Sequence, residues 1–228
     1  MSLGVAILAG GRGTRLSPLT GGGPKALAPF DGQTLLDHQL DRVAALEPSR
    51  VTLVLHHLHA EIAAHVGDRA EALVEPRPLG TAGGLYFLPP EPARWLVLNV
   101  DHISDVDLAA LVASADGPCT AALWSVSVPV DEGVVSVEGG RVVAWQERPV
   151  LRLPVTTGLY VFSRAALASA LDGESCDMPA LVERLMPGGV SAWMHRGRWF
   201  DAGTPERLAR AEDWWRSRQR PVVNLDRV

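Results

Sequence analysis

Lysine is nearly missing from this chain: of 21 basic residues only Lys25 is a lysine, and the rest are arginines. A coding bias towards arginine accounts for the others. The exception is therefore informative, because a compact, strongly hydrated ammonium serves a site in a way that a planar guanidinium does not. Cysteine is scarce as well. Cys119 and Cys176 stand far apart, without a CxxC spacing or paired histidines beside them, which argues against a disulfide framework or a zinc site and leaves both as packing residues. No apolar run approaches the ~20 residues of a membrane span, and no basic segment precedes the short apolar stretch near the amino terminus. A cytoplasmic protein with no membrane partner is the expectation. A basic surplus is also absent: the net charge is −5 and the pI about 5.8, which speaks against a nucleic-acid partner.

What is present is enough apolar material for a sizeable core. Hydrophobic residues make up 47% of 228, with a mean hydropathy of +0.10, a length and composition that an α/β chain carries as one domain. We expect a single domain over 1–228, with parts at about 1–115 and 116–205 and a terminal helix and tail over 205–228.

Residues 5–29 read VAILAGGRGTRLSPLTGGGPKALAP, an apolar strand breaking into a glycine-rich loop. Gly10, Gly11 and Gly13 are expected to take positive φ, so that backbone N–H groups approach phosphate oxygens closely. Arg15 and Lys25 supply mobile positive charge. The pattern suits a polyphosphate site, yet it lacks the Gly-Lys-Ser/Thr ending of a P-loop and the spacing of the dinucleotide fingerprint. As a surface residue Lys25 would be unremarked, but it sits between Pro24 and the apolar Ala26 and Leu27.

GGRGTRLSPLT followed by PKALAP resembles the signature of the sugar-1-phosphate nucleotidyltransferases, or nucleotide-sugar pyrophosphorylases. The resemblance implies a Rossmann-like doubly wound mixed α/β sheet with an antiparallel hairpin on the acceptor side, about 1–115 being the nucleotide-binding part and about 116–205 the sugar-phosphate-binding part. It places Arg15 on the β and γ phosphates, Lys25 on the α phosphate, and Leu8, Ala9, Gly10, Gly11, Gly13 and Thr14 around the nucleotide.

Periodicity supports that alternation of elements. A helix is expected from about Thr34, with Leu36, Leu40, Val43 and Leu46 on one face, and residues 51–55 form a strand covered on both sides. His56, His57, His59 and His65 invite a zinc reading, but His56 and His57 point in opposite directions at a strand end and His59 and His65, six apart, do not stack on one helical face, so a polar loop and short helix are expected instead. EPRPLGTAGG turns into a helix expected at about Thr81. It resembles the family element that holds base and ribose, which implicates Gly80, Thr81 and Ala82, with Glu75 as an acceptor for guanine N1 and N2. Residues 95–100 form a strand ending at Asp101, where open α/β sheets bind ligands; Ser104 or Asp105 is expected to cap the next helix.

Asn99-Val100-Asp101 resembles the family's Asn-Gly-Asp, with Asp101 catalytic and metal-binding, Asn99 at the sugar, and Val100 expected to narrow the space beside it. GVVSVEGGRVVAWQERP resembles the acceptor hairpin, implying Gly133 and Glu147 at the sugar and Arg148 at its phosphate. Thr157 and Gly158 belong to the next sugar-facing strand. RWFDAGT resembles the second aspartate motif, making Asp201 the other Mg²⁺ ligand. Trp214 and Trp215 pack over the sheet edge or mark a homodimer contact.

The four motifs cover about 5–213, and the β-helix that follows the transferase domain in many relatives is not expected. The implied reaction is nucleotidyl transfer from a nucleoside triphosphate to a sugar-1-phosphate with Mg²⁺. GTP with a heptose- or mannose-type acceptor is preferred over a UTP-dependent N-acetylmuramate- or other hexose-1-phosphate reaction. A choline-phosphate cytidylyltransferase, with Trp124, Trp145 and Tyr160 as an aromatic cage, is the other alternative.

Overall fold

The computed structural model describes residues 2–219; the expected tail over 220–228 lies outside the described residues. Leu3–Leu8 (β1) leads through the glycine loop to a short helix, Ser17–Thr20 (α1), then to Pro29–Phe30 (β2), Gln33–Thr34 (β3) and Leu35–Ala44 (α2). Arg50–Leu55 (β4), His59–Val66 (α3), Glu71–Val74 (β5), Arg94–Asn99 (β6), His102–Ser104 (β7) and Leu108–Ala113 (α4) follow. Next come Cys119–Pro129 (β8), Val134–Glu138 (β9), Arg141–Gln146 (β10), the long Val150–Ser163 (β11) and Arg164–Ala170 (α5). Met178–Leu185 (α6), Val190–His195 (β12), Trp199–Asp201 (β13) and Pro205–Gln219 (α7) complete it.

Seven strands make one sheet in the order β12-β8-β11-β6-β1-β4-β5, in which β11 alone runs against its neighbours. Alternation along the buried strands sends side chains to two cores. Val5, Ile7, Leu96 and Leu98 face one that takes in α2, α3, α4 and α7. Ala6, Trp95 and Val97 face the other, closed by α5 and α6. This is the expected doubly wound mixed sheet. Helix α2 starts where the sequence placed it: Thr34 accepts from the Asp37 N–H while Asp37 accepts from Thr34, a reciprocal cap.

The hairpin of β9 and β10 also forms, pairing with nothing but itself among the described residues. Two local expectations do not hold. At about Thr81 there is no α-helix, only a single 3₁₀ segment at Gly83–Phe87. Two glycines disfavour helix there, and the N–H groups of Ala82 and Gly83 are already bonded to Cys176 O at 2.9 and 3.0 Å. Helix α4 is capped by Asp107, which accepts from Ala110 N at 2.9 Å. Asp105 is committed elsewhere, to His195 Nε2 at 2.9 Å and Arg198 N at 2.7 Å. Among the described residues no helix is long and apolar enough to cross a membrane.

Candidate active site

A crevice of about 490 Å³ opens at the carboxyl ends of β1, β4 and β6, where parallel strands leave a ligand site. Leu8, Gly10, Gly11, Arg15, Lys25, Glu75, Gly80, Thr81, Asn99, Asp101 and Asp201 all line it. The other expected site residues do not, and the local packing gives the reasons.

Of the three glycines expected to take positive φ, Gly13 does, at 59°; Gly10 and Gly11 do not adopt it. A Cβ on Gly13 would collide with Lys25 Cβ, so this glycine lets the loop close over the lysine stem. Gly10 instead needs its small size against His56 N, 2.8 Å from where its Cβ would lie. Ala9 is tied into the sheet, its N–H on Val54 O at 3.0 Å. Thr14 begins a 3₁₀ turn at the rim. Arg12 and Arg15 are exposed and, among the described residues, neither guanidinium has a hydrogen bond or ion pair. That leaves their donors for an anionic ligand.

At the centre, Lys25 Nζ lies 2.7 Å from Asp101 Oδ2. Burial by itself raises the Asp101 pKa, but the charges of Lys25 and His102 and the Lys25 hydrogen bond outweigh it and hold the carboxyl below its ordinary range. Asp201 reaches the same place from β13, whose pairing with β7 sets Asp201 opposite His102, while Ala202 N donates to Asp101 O at 2.9 Å. The two carboxylates flank Gly203. A Cβ there would lie 2.9 Å from Asp201 Oδ1 and 3.6 Å from both Asp101 Oδ2 and Arg15 Nη2. Asp201 is itself held, its Oδ1 accepting from Gly203 N at 3.0 Å and its Oδ2 from Arg207 Nη1, and two carboxylates on either side of Gly203 are a donor set that suits a hard dication completed by phosphate and water.

Val100 does not narrow this space. It is buried in the core on the far side of the strand, with its N–H on Leu8 O at 3.2 Å.

On the expected base side, Glu75 is 8% exposed. Burial raises its pKa against the pull of backbone hydrogen bonds from Leu79 and Gly84 and of nearby His56. Its carboxylate packs against Gly84, where any Cβ would strike Oε1. The loop's glycines make room for protein rather than ligand. A Cβ on Gly80 would lie 2.7 Å from Cys176 O, and one on Gly83 2.8 Å from Glu174 O. Thr81 is stapled to the start of α6: Asp177 Oδ1 accepts from its N–H at 3.0 Å, and its hydroxyl accepts from Met178 N at 2.7 Å. Ala82 is buried beneath.

Of the expected acceptor residues Asn99 lines the crevice and the others do not. Thr157 is fully buried and its hydroxyl donates to Ala122 O at 2.8 Å. Gly158, at φ 73°, sits where β11 shifts register, and a Cβ on it would strike the His102 ring and lie 2.6 Å from Asn99 Nδ2. Gly133 packs under the Trp145 indole, whose Nε1 donates to Glu147 Oε2 at 3.0 Å. Arg148 and Glu147 are exposed, 4.0 Å apart. The three aromatic residues considered as a cage are equally dispersed. Tyr160 stacks on Phe162 in the core, Trp124 lies beside Trp199, and Trp145 is out on the hairpin.

His56, His102 and Arg12 also line the crevice and were not singled out as site residues. His102 follows Asp101 directly, so the rule that strand ends face the ligand reaches it too. Burial lowers its pKa against the opposing charges of Asp101 and Asp201. Of the remaining histidines in the cluster, His65 contacts Asp37 at 3.0 Å. Trp215 packs edge-on to His38 and Trp214 against Phe200, over the core.

Against known proteins, a profile described as "Nucleotidyl transferase" matches residues 5–216. A mannose-1-phosphate guanylyltransferase of Mycobacterium tuberculosis is 32% identical over 90% of this chain and 62% of its own length. A mannose-1-phosphate guanyltransferase assigned in Sulfolobus acidocaldarius is 30% identical over 87% and 59%. The chain thus spans about three fifths of the curated relatives it matches. HddC from Yersinia pseudotuberculosis, solved with GMP-PN, superposes with a TM-score of 0.67 at 21% identity, over 93% of this chain and 99% of that one. A candidate glucose-1-phosphate thymidylyltransferase from Bacillus anthracis, solved with sucrose, gives 0.75 at 21% identity, over 94% and 96%.

Proposed function

This chain belongs to the nucleotidyl transferase family, and from that premise we propose that it is an enzyme joining a nucleoside triphosphate to a sugar-1-phosphate. The products are an NDP-sugar and pyrophosphate. The observation that supports this most is the convergence of Arg15 and Lys25, Asp101 and Asp201 in one crevice, from three segments far apart in sequence.

The chemistry asks little covalent work of the protein. An oxygen of the sugar-1-phosphate attacks the α phosphorus in line, the bond to the β-phosphate oxygen breaks, and pyrophosphate leaves with the electron pair. The barrier lies in bringing two anions together and in the charge spread over the reacting phosphoryl group. Lys25 has three N–H donors and spends one on Asp101. The other two are available to oxygens of the α phosphate without breaking the pair. Arg15, with no protein partner among the described residues, holds the β and γ phosphates from the mouth of the crevice. Asp101 and Asp201 would hold Mg²⁺, which when bound supplies charge neutralisation of the phosphates. The Asp101 peptide, fixed through Ala202, keeps the two carboxylates in register.

GTP and a mannose-type 1-phosphate are the substrates we favour, because the guanylyl relatives match nine tenths or nearly so of this chain. A grid of ATP, CTP, GTP, UTP and dTTP against mannose-, glucose-, heptose- and N-acetylmuramate-1-phosphate, read by pyrophosphate release, tests the whole reading. GTP with mannose-1-phosphate should lead. Preference for UTP or dTTP would overturn the substrate assignment, and silence across the grid the activity itself.

A further inference from the structure

We infer that Gln39, a residue of α2 outside the crevice, is the positioning residue that sets Asp101; the inference rests on the reading of Asp101 given above. Gln39 is fully buried. Its Nε2 donates to His102 O at 2.8 Å and to Val100 O at 3.3 Å, so one side-chain amide grips the peptide carbonyls on both sides of Asp101. Those two hydrogens are all that a primary amide has.

The orientation of that amide is itself fixed. Arg42, one helical turn on and half-buried, donates from Nη1 to Gln39 Oε1 at 3.0 Å and from Nη2 to Ser104 Oγ at 3.4 Å. A guanidinium has only donors, so the oxygen of Gln39 must face it and the NH₂ must face the carbonyls. Burial lowers the Arg42 pKa to about 10, with Asp105 opposing, so it remains a cation at neutral pH.

The segment is also held by the backbone bonds Val100 N to Leu8 O at 3.2 Å and Ala202 N to Asp101 O at 2.9 Å, and by the Lys25–Asp101 ion pair. Gln39 adds a side-chain clamp tying the end of β6 and the start of β7 to the helix that packs beneath them. Without it two buried carbonyls lose their donors, and the peptide bearing Asp101 can rotate away from Lys25 and Asp201.

The test uses Gln39→Leu, which keeps volume and loses both donors, and Gln39→Glu, which keeps the Arg42 contact but opposes the carbonyls with acceptors. Val43→Ala, a buried residue of the same helix, serves as a control for general loosening. Turnover should fall about 10- to 100-fold in both Gln39 variants, as for removal of a partner behind a ligating group, with KM for the nucleotide within about threefold, the split expected when ground-state binding is spared. Amide hydrogen exchange of unliganded protein should show lost protection confined to 99–104 and Ala202. Val43→Ala should lower the melting temperature with unchanged turnover. Unchanged turnover and exchange in folded Gln39→Glu would overturn the inference, as would an equal turnover loss in Val43→Ala. An inactive wild type whose Gln39 variants still lose protection at 99–104 and Ala202 would instead overturn the proposed activity and leave the clamp standing.

Discussion

Lys25 and Asp101, 76 residues apart, meet at 2.7 Å within the crevice, and the loop above them closes because Gly13 has no Cβ to strike the lysine stem. That packing leaves little room for a different cation. In Lys25→Arg the guanidinium has to sit farther from the α phosphate or push the loop up, while Arg15 and the crevice wall still hold the triphosphate. Turnover should drop by about 10²-fold or more, the scale of losing one preorganised charge-stabilising donor, with a modest change in nucleotide affinity. Calorimetry beside steady-state pyrophosphate release separates the two. Near-normal turnover would return Lys25 to an ordinary ion pair.

Asp201→Asn probes the dication. The amide oxygen can still accept from Gly203 N, which bonds Asp201 Oδ1 at 3.0 Å, so the turn should survive. Half the carboxylate charge in the cradle is gone. Binding of Mn²⁺ followed by electron paramagnetic resonance, with nucleotide present, should weaken, and activity should recover partly at raised Mg²⁺. Unchanged Mn²⁺ affinity would remove Asp201 from the ligand set.

Glu75→Gln separates two roles of one carboxylate. If Glu75 only packs against the loop at Gly84, replacing an oxygen by NH₂ should weaken all nucleotides alike. If it also reads guanine, GTP alone should lose about 1–3 kcal/mol, the cost of one mispaired polar group. We expect the second pattern. Equal losses for GTP and UTP would leave the loop role alone.

Much of this arrangement was legible in the chain. The apolar runs before Gly10 and Asp101 are strands because both of their faces are covered, and an aspartate ending such a strand has nowhere to point but the crevice. The pairing of β7 with β13 was not legible. Three residues on each side carry too little pattern to announce a partner almost a hundred positions away, and it is this pairing that sets His102 opposite Asp201. Gly80 and Gly83 illustrate a different limit. Sequence shows that a close approach is needed, but not whether ligand or protein approaches; here it is the 174–177 backbone. Thr157 misleads for the same reason that strands alternate: a hydroxyl on the buried face finds a carbonyl and never sees the crevice.

His38 makes stability depend on pH without touching the crevice. It is 3% exposed, packed edge-on to Phe30 and Trp215, and its Nε2 is buried with no hydrogen-bond partner among the described residues. Burial pushes its pKa from 6.5 down to about 4; Arg42 acts in the same direction and Asp31 against it. Below pH 6.5 the unfolded chain accepts a proton here that the folded chain refuses until about pH 4. The unfolded state then holds more protons, so stability falls as pH drops through that window, by up to on the order of 3 kcal/mol. Carboxylates contribute their own acid dependence, and the variant His38→Phe isolates the histidine by removing the titrating group while keeping an aromatic ring for Phe30 and Trp215. Urea unfolding of wild type and variant at pH 7, 5.5 and 4.5 should give a gap that widens in favour of the variant as pH falls. A constant gap across the three pH values would mean that His38 takes up its proton as readily folded as unfolded.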